Sequence, residues 1–284
     1  MEFKKTFKDT VLDYPQNMIL YSKPKIGKTD LISRLPDCGI IDIEGGSEYV
    51  TGYTHVVKDP GGDPIKTLKN LDECLDWLIE TRPYKYVAFD TMTFMEECSE
   101  IEGTYDYMNS SQGKKWNRIN ADHIVLRPEL AALEGQTIPH TSILFELVTS
   151  LGQGYGYQWT RNNFMKYFNK MKLAADRCIF VCHIKDKFIE SKVGDQVSGR
   201  ELNLTGKLKT MTTSFVDTVG YLHRGKDGNT YISFQAGETV AEGSRRRAVS
   251  GRDIMVGKWN KDMQNYEEVY WNEIYPDEKI LSYK

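Results

Sequence analysis

Gly27, Lys28 and Thr29 stand together in the stretch SKPKIGKTD, residues 22–30. A glycine that turns backbone N–H groups toward phosphates, a lysine that neutralises the β and γ charges and a hydroxyl that ligates Mg²⁺ make up a phosphate-binding loop, and the dipole of the following helix adds to them. The full pattern also asks for a first glycine where Ser22 stands. That glycine only permits the turn out of a strand, so a small serine with allowed dihedrals removes no chemical group. A competent site for ATP and Mg²⁺ is therefore expected over Ser22, Lys23, Pro24, Lys25, Ile26, Gly27, Lys28, Thr29 and Asp30. Lys25 is either solvated or adds charge near the γ-phosphate.

Two further acidic stretches could complete such a site. In YVAFDT, Asp90 ends an apolar run, where an aspartate holds Mg²⁺ through water or the Thr29 shell; an aspartate there can also cap a helix. In IIDIEGG, Glu44 follows an apolar run and could polarise the water that attacks the γ-phosphate. Asp42 shares its strand face by the period of two. Position alone leaves open whether Asp42 and Glu44 instead cap the turn at Gly45 and Gly46.

These residues need a scaffold, and the chain alternates strand and helix patterns that would supply one. Short apolar runs at 17–22, 38–44, 85–91 and 177–185 fit strands buried on both faces of a parallel sheet. Helix patterns follow the loop and recur at 68–82 and 160–176; Leu68, Leu71, Leu75 and Leu78 fall on one helical face. The expected fold is a wound α/β architecture with a central, mainly parallel sheet flanked by helices. Residues 96–155 exceed a normal connection and read as a partly helical insertion. Strand patterns at 216–224, 230–236 and 267–275, with a hairpin turn at 225–229, predict antiparallel strands appended to the sheet. The expected division is a core over 1–225 and a C-terminal β-rich extension over 226–284, packed on the core.

Bulk properties limit the function. Charged residues make up 27% of the 284-residue chain and the net charge is −3, unlike a histone-like DNA binder, so a nucleic-acid surface would be a local patch. The first residues carry lysines but no apolar signal region, and no run approaches the ~18 apolar residues of a membrane span. A cytoplasmic protein without a membrane partner is expected. Five cysteines with no CxxC pair argue against a disulfide framework or a zinc site, and Cys178 and Cys182 read as buried thiols.

The order SKPKIGKT, IIDIEGG, YVAFDT, CIFVCHIKDK, spanning roughly 15–225, resembles the RecA-like P-loop ATPase core, especially the phage nucleotide-binding and single-strand annealing group. The resemblance implies that Lys28 and Thr29 bind triphosphate and Mg²⁺, that Glu44 is the catalytic base and that Asp90 is the Walker B acid. It also implies that His183, where the bacterial recombinase has glutamine, senses the γ-phosphate and signals to a DNA-binding loop. Lys207 and Lys209 fall in a segment resembling one where relatives carry interface lysines acting in trans. The implied protein is a phage- or prophage-encoded recombination ATPase in the bacterial host cytoplasm. It would coat single-stranded DNA as a homo-oligomeric ring or filament, promote annealing or strand exchange, and work beside a single-strand-binding protein.

Under that resemblance two loops would face DNA. In residues 150–161, glycines would give mobility, Tyr155, Tyr157 and Trp159 could stack on bases, and Arg161 could pair a phosphate; the same aromatics could equally be packing residues. After His183, Lys185, Lys187, Lys192 and Arg200 follow in an expected loop. The most basic patch, Arg245, Arg246, Arg247 and Arg252, could grip a phosphate backbone or supply an arginine finger across an interface. Two other functions compete: a nucleotide or small-molecule kinase with the insertion as lid and Arg118 and Arg127 on the acceptor, or a nucleotide switch that binds a protein partner.

Overall fold

A computed structural model describes residues 13–112, 147–190, 196–237 and 241–276; for 186–190 and 196–198 it describes the backbone alone. Lys192, Arg118, Arg127, most of the expected insertion and the Lys187 side chain lie outside the described residues.

Its parallel strands are β1 (Asn17–Ser22), β2 (Cys38–Asp42), β3 (Tyr53–Val56), β4 (Tyr86–Asp90), β5 (Arg177–Glu190) and β7 (Thr218–Arg224). The antiparallel strands are β6 (Gln196–Leu202), β8 (Thr230–Ser233), β9 (Gly243–Ser244), β10 (Asp253–Asn260) and β11 (Asn265–Val269). Together they form one 11-stranded sheet in the order β11-β10-β8-β7-β1-β5-β4-β2-β3, with β6 on β5 and β9 on β7. The mainly parallel α/β sheet is the expected fold class. The appended strands continue the sheet itself, with the turn at 225–229 lying between β7 and β8.

Both faces of the sheet are covered, which is why the strands read as continuous apolar runs. On one face, Ile19, Tyr21, Ile41, Val87, Phe89 and Phe180 meet α2 (Pro64–Thr81), α3 (Met92–Asn109) and α4 (Tyr157–Met171). On the other, Met18, Leu20, Ile40, Ala88 and Val181 meet α1 (Lys28–Ser33) and the chain from β10 to Tyr275. Residue alternation along β1 thus assigns neighbouring side chains to opposite cores. The fifth helix, α5 (Lys207–Phe215), follows β6.

Three expectations change. Residues 96–109 continue α3, whose Met95 and Cys98 are buried in the core, so the break in the pattern comes later than 96. α3 carries acids and tyrosines on its outer side, and these hid its apolar face. The expected loop after His183 is instead the β5–β6 hairpin, with Ile184 opposite Leu202. β3 and β10 were missed because short edge strands and strands with a glycine give a weak alternation signal.

Among the described residues no helix is long and apolar enough to cross a membrane. All five cysteines are free, and all but Cys74 are buried.

α2 begins at Asp63, whose side chain accepts from the backbone N–H of Ile65 and Lys66 at 3.0 and 3.2 Å, with Pro64 at the first helical position. Asp63→Ala is expected to cost about 1 kcal/mol, read as a lower urea midpoint with an unchanged slope.

Candidate functional site

Sheet register gathers the expected residues at one edge. Ser22 at the end of β1 stands beside His183 on β5, and Asp42 at the end of β2 stands beside Asp90 at the end of β4. β1, β2 and β4 release their chains at the C-terminal edge of the parallel sheet, where open α/β folds bind ligands, while β5 runs on past it to Glu190.

The loop from Ser22 to α1 turns with Lys25 at φ 61° and Gly27 at φ 91°. Gly27 precedes α1, and its carbonyl accepts from Leu31 N–H at 3.0 Å. Lys28 is only 7% exposed. Its Nζ donates to Ser22 Oγ at 2.9 Å and to the Lys23 carbonyl at 3.3 Å. The serine at the first-glycine position therefore contributes an acceptor for the lysine. Burial pushes the Lys28 ammonium below its usual range, against the opposing pull of Asp90 and Glu44.

Thr29 Oγ1 donates to Asp90 Oδ2 at 2.7 Å. Burial raises the Asp90 carboxyl, while the Thr29 hydrogen bond and Lys28 pull it down. A half-buried carboxylate and a hydroxyl side by side offer the hard oxygen ligands that suit Mg²⁺, which keeps waters and takes phosphate oxygens besides. Among the described residues no group of three or more His, Cys, Asp or Glu is placed to hold a metal alone. A cation at Thr29 and Asp90 would complete its shell from phosphate and water.

Asp42 and Glu44 separate into two roles that position alone left open. The Asp42 carboxylate accepts from Gly45, Gly46 and Ser47 N–H at 2.6, 3.2 and 2.8 Å, so it holds the turn. Glu44 instead turns toward the site. Its backbone is fixed by its own N–H to the Asp90 carbonyl at 3.2 Å and by Lys58 Nζ to its carbonyl at 2.6 Å. Its Oε2 accepts from Thr91 Oγ1 at 2.9 Å and lies 3.3 Å from His183 Nε2. The His183 hydrogen bond holds the Glu44 carboxyl below its ordinary range, partly opposed by burial. Glu44 is thus ionised near neutral pH, as an acceptor for a water proton must be. The His183 backbone N–H donates to Thr93 Oγ1 at 3.1 Å, which ties β5 to α3.

These groups line one cavity of about 910 Å³, together with Pro24, Lys25, Asp30 and Arg34. Sequence reasoning missed Arg34, Tyr49, Val50 and Thr51 near the loop and β2, and, farther off in the chain, Trp259, Gln264 and Asn265. The last three sit on the β10–β11 hairpin, some 230 positions after the loop, and no local pattern marks them. They were findable only as an aromatic beside amides at a turn.

The expected nucleic-acid residues come from several separate elements of the fold. Tyr155 is 71% exposed and Tyr157 less so. Trp159 and Arg161 lie in the first turns of α4, with Trp159 edge-on to Tyr107 at 5.7 Å between centroids. Gly156 serves close approach: a Cβ there would fall 1.4 Å from the Val148 carbonyl oxygen. Arg161 lines a second cavity, of about 570 Å³, with Tyr157, Lys207, Glu96 and Glu100. Lys185 is exposed on β5. Arg200 pairs with buried Glu242 at 2.8 Å, and Lys209 pairs with Glu201 at 2.5 Å. Arg246 is held by Asp217 at 2.6 Å, whereas Arg245 and Arg247 are exposed.

Residues 14–143, just under half of the chain, match a family model described as an AAA domain. The match takes in the loop, β2 and β4, and the central, mainly parallel sheet flanked by helices is consistent with a P-loop ATPase core of the RecA-like or AAA type. No curated protein matches. A solved structure of a prototypical ATPase from the type III secretion system of pathogenic bacteria is similar at 11% identity and a TM-score of 0.35, covering 76% of this chain and 59% of that one. The chain therefore spans less than two thirds of that ATPase.

Two substitutions probe the site. Asp42→Ala leaves three N–H groups without their acceptor, so about 1–3 kcal/mol of stability and at least about tenfold in ATP turnover should be lost as Glu44 shifts. Lys28→Met removes a buried charge, so the nucleotide-free protein should gain about 1 kcal/mol by urea titration while losing any stabilisation by added ATP.

Proposed function

We propose that the chain is an Mg²⁺-dependent ATPase that works on single-stranded DNA as an oligomeric recombination factor of the phage type. The observation that supports the ATPase step is the convergence of Lys28, Thr29, Asp90, Glu44 and His183 on one cavity. In this reading Lys28 leaves Ser22 for the β and γ oxygens, and the N–H groups around Gly27 cradle them. Thr29 and Asp90 hold the cation, which supplies charge neutralisation at the phosphates. Glu44 takes a proton from the attacking water, oriented by its bonds to Thr91 and His183.

What supports a DNA role is the continuity of β5. The strand that carries His183 beside Glu44 runs on to Glu190 and turns back as β6, so a change at the γ-phosphate would be felt along one rigid hairpin. Lys185 lies on that hairpin, and exposed Tyr155, Tyr157 and Lys207 with half-buried Arg161 add aromatic and cationic groups suited to bases and phosphates. Of the two lysines considered for a role in trans, Lys207 suits it better, because it is exposed while Lys209 is paired. A homo-oligomer, a single-strand-binding protein as partner and the cytoplasm of a bacterial host belong to the same reading.

ATP hydrolysis should be measured with and without oligo(dT) at two salt concentrations for wild type, Lys28→Ala and Glu44→Gln. The expected result is turnover raised by DNA, more so at low salt, absent in Lys28→Ala and reduced at least about a hundredfold in Glu44→Gln. Turnover indifferent to DNA sinks the recombination reading; turnover surviving in Glu44→Gln sinks the assignment of the base.

A further inference from the structure

The cavity around Lys28 has a wall that a triphosphate does not need. Trp259, Gln264 and Asn265 form it, and they come from the β10–β11 hairpin, on the far side of β1 from β2, which leads into Glu44. A triphosphate whose γ end meets Glu44 and whose β and γ charges meet Lys28 leads its α-phosphate and ribose away from Glu44. Trp259 is adjacent to the loop on that side: a Cβ built on Gly27 would lie 3.5 Å from Trp259 Cζ3.

The indole is held as a firm surface. The Arg224 guanidinium lies over it, 3.7 Å from the ring centroid, and also donates to the Ile26 carbonyl at 3.3 Å. Tyr266 meets it edge-on at 5.0 Å between centroids and is itself tied to the loop, with its hydroxyl 3.4 Å from the Gly27 carbonyl oxygen. A flat ring backed by a cation and fixed to the phosphate loop suits a nucleobase, since stacking on an aromatic tolerates any base. At the same rim Gln264 donates its amide to the Lys261 carbonyl at 2.6 Å. Asn265 also lines the cavity, and a side-chain amide offers the donor and acceptor pair that matches the N6 and N7 edge of adenine.

We propose that the β10–β11 hairpin is the nucleobase subsite, with Trp259 as the stacking platform and Asn265 reading the base edge in favour of adenine. The proposal rests on the nucleotide-binding reading above and assigns its specificity to a segment outside the matched domain, residues 14–143.

The test uses the full chain and compares ATP, GTP and inorganic tripolyphosphate by calorimetry for wild type, Trp259→Ala, Trp259→Phe, Asn265→Ala and Lys28→Ala. Trp259→Ala should weaken ATP about tenfold and leave tripolyphosphate unchanged, while Trp259→Phe keeps most of the affinity. Asn265→Ala should narrow the preference for ATP over GTP. ATP should quench indole fluorescence in wild type and not in Trp259→Phe, and tripolyphosphate should quench neither. The fluorescence comparison decides the matter should Trp259→Ala fail to fold. Equal weakening of ATP and tripolyphosphate in Trp259→Ala, or no weakening of either, overturns the subsite. Wild-type affinity for all three ligands in Lys28→Ala would instead overturn the nucleotide reading itself.

Discussion

Parallel register is the constraint on which the site depends. A parallel ladder fixes where each residue stands relative to the neighbouring strand, and here Ser22 is set beside His183 and Asp42 beside Asp90, the second pair two residues short of the first along the sheet. Slip one strand by a residue and its buried side chains exchange faces, so both cores resist the slip. The energy that sets the spacing of the polar groups is thus apolar burial on two faces, with Phe89 stacked on Phe180 at 5.7 Å on one of them. The polar contacts at the sheet edge then refine positions that the cores have already chosen.

Within that frame the polar groups divide their labour by what surrounds them. Asp42 is buried, and three backbone donors commit both of its oxygens to holding the turn. Glu44, two residues on, is half-exposed and bonded only through one carboxylate oxygen to side chains, Thr91 and His183. Lys28 is buried with two acceptors, fewer than its three protons. An under-bonded ammonium beside an under-bonded carboxylate is the arrangement of a site built to receive a ligand with oxygens and a water.

Much of this was legible from the chain. The phosphate loop and the acids at the strand ends follow from residue types that chemistry demands at fixed spacings, and the strands of the parallel core from their apolar runs, whereas the order of those strands in the sheet did not. β1 ran at 17–22 as its apolar run indicated. What the sequence concealed lies where long-range contacts decide. Arg200 and Arg246 read as cations for a phosphate backbone, yet Glu242 and Asp217, distant in sequence, neutralise them. Gly156 read as a mobile glycine, yet it is packed against Val148. Trp259 carried no more signal than an aromatic near a turn, because its meaning comes from Gly27 across the sheet.

The C-terminal segment is bound to the first motif at several points. Trp271 Nε1 donates to the Leu31 carbonyl at 2.8 Å, Arg34 to the Tyr266 carbonyl at 2.7 Å, and the Tyr266 hydroxyl reaches Gly27. On the ribosome the loop emerges early and these supports emerge more than two hundred residues later. At about 5–20 residues per second, the loop and α1 wait ten seconds or more for the wall against which they pack. Synthesis order therefore acts as a timer: the pocket of a nascent chain stays open on one side until more than two hundred further residues have been made.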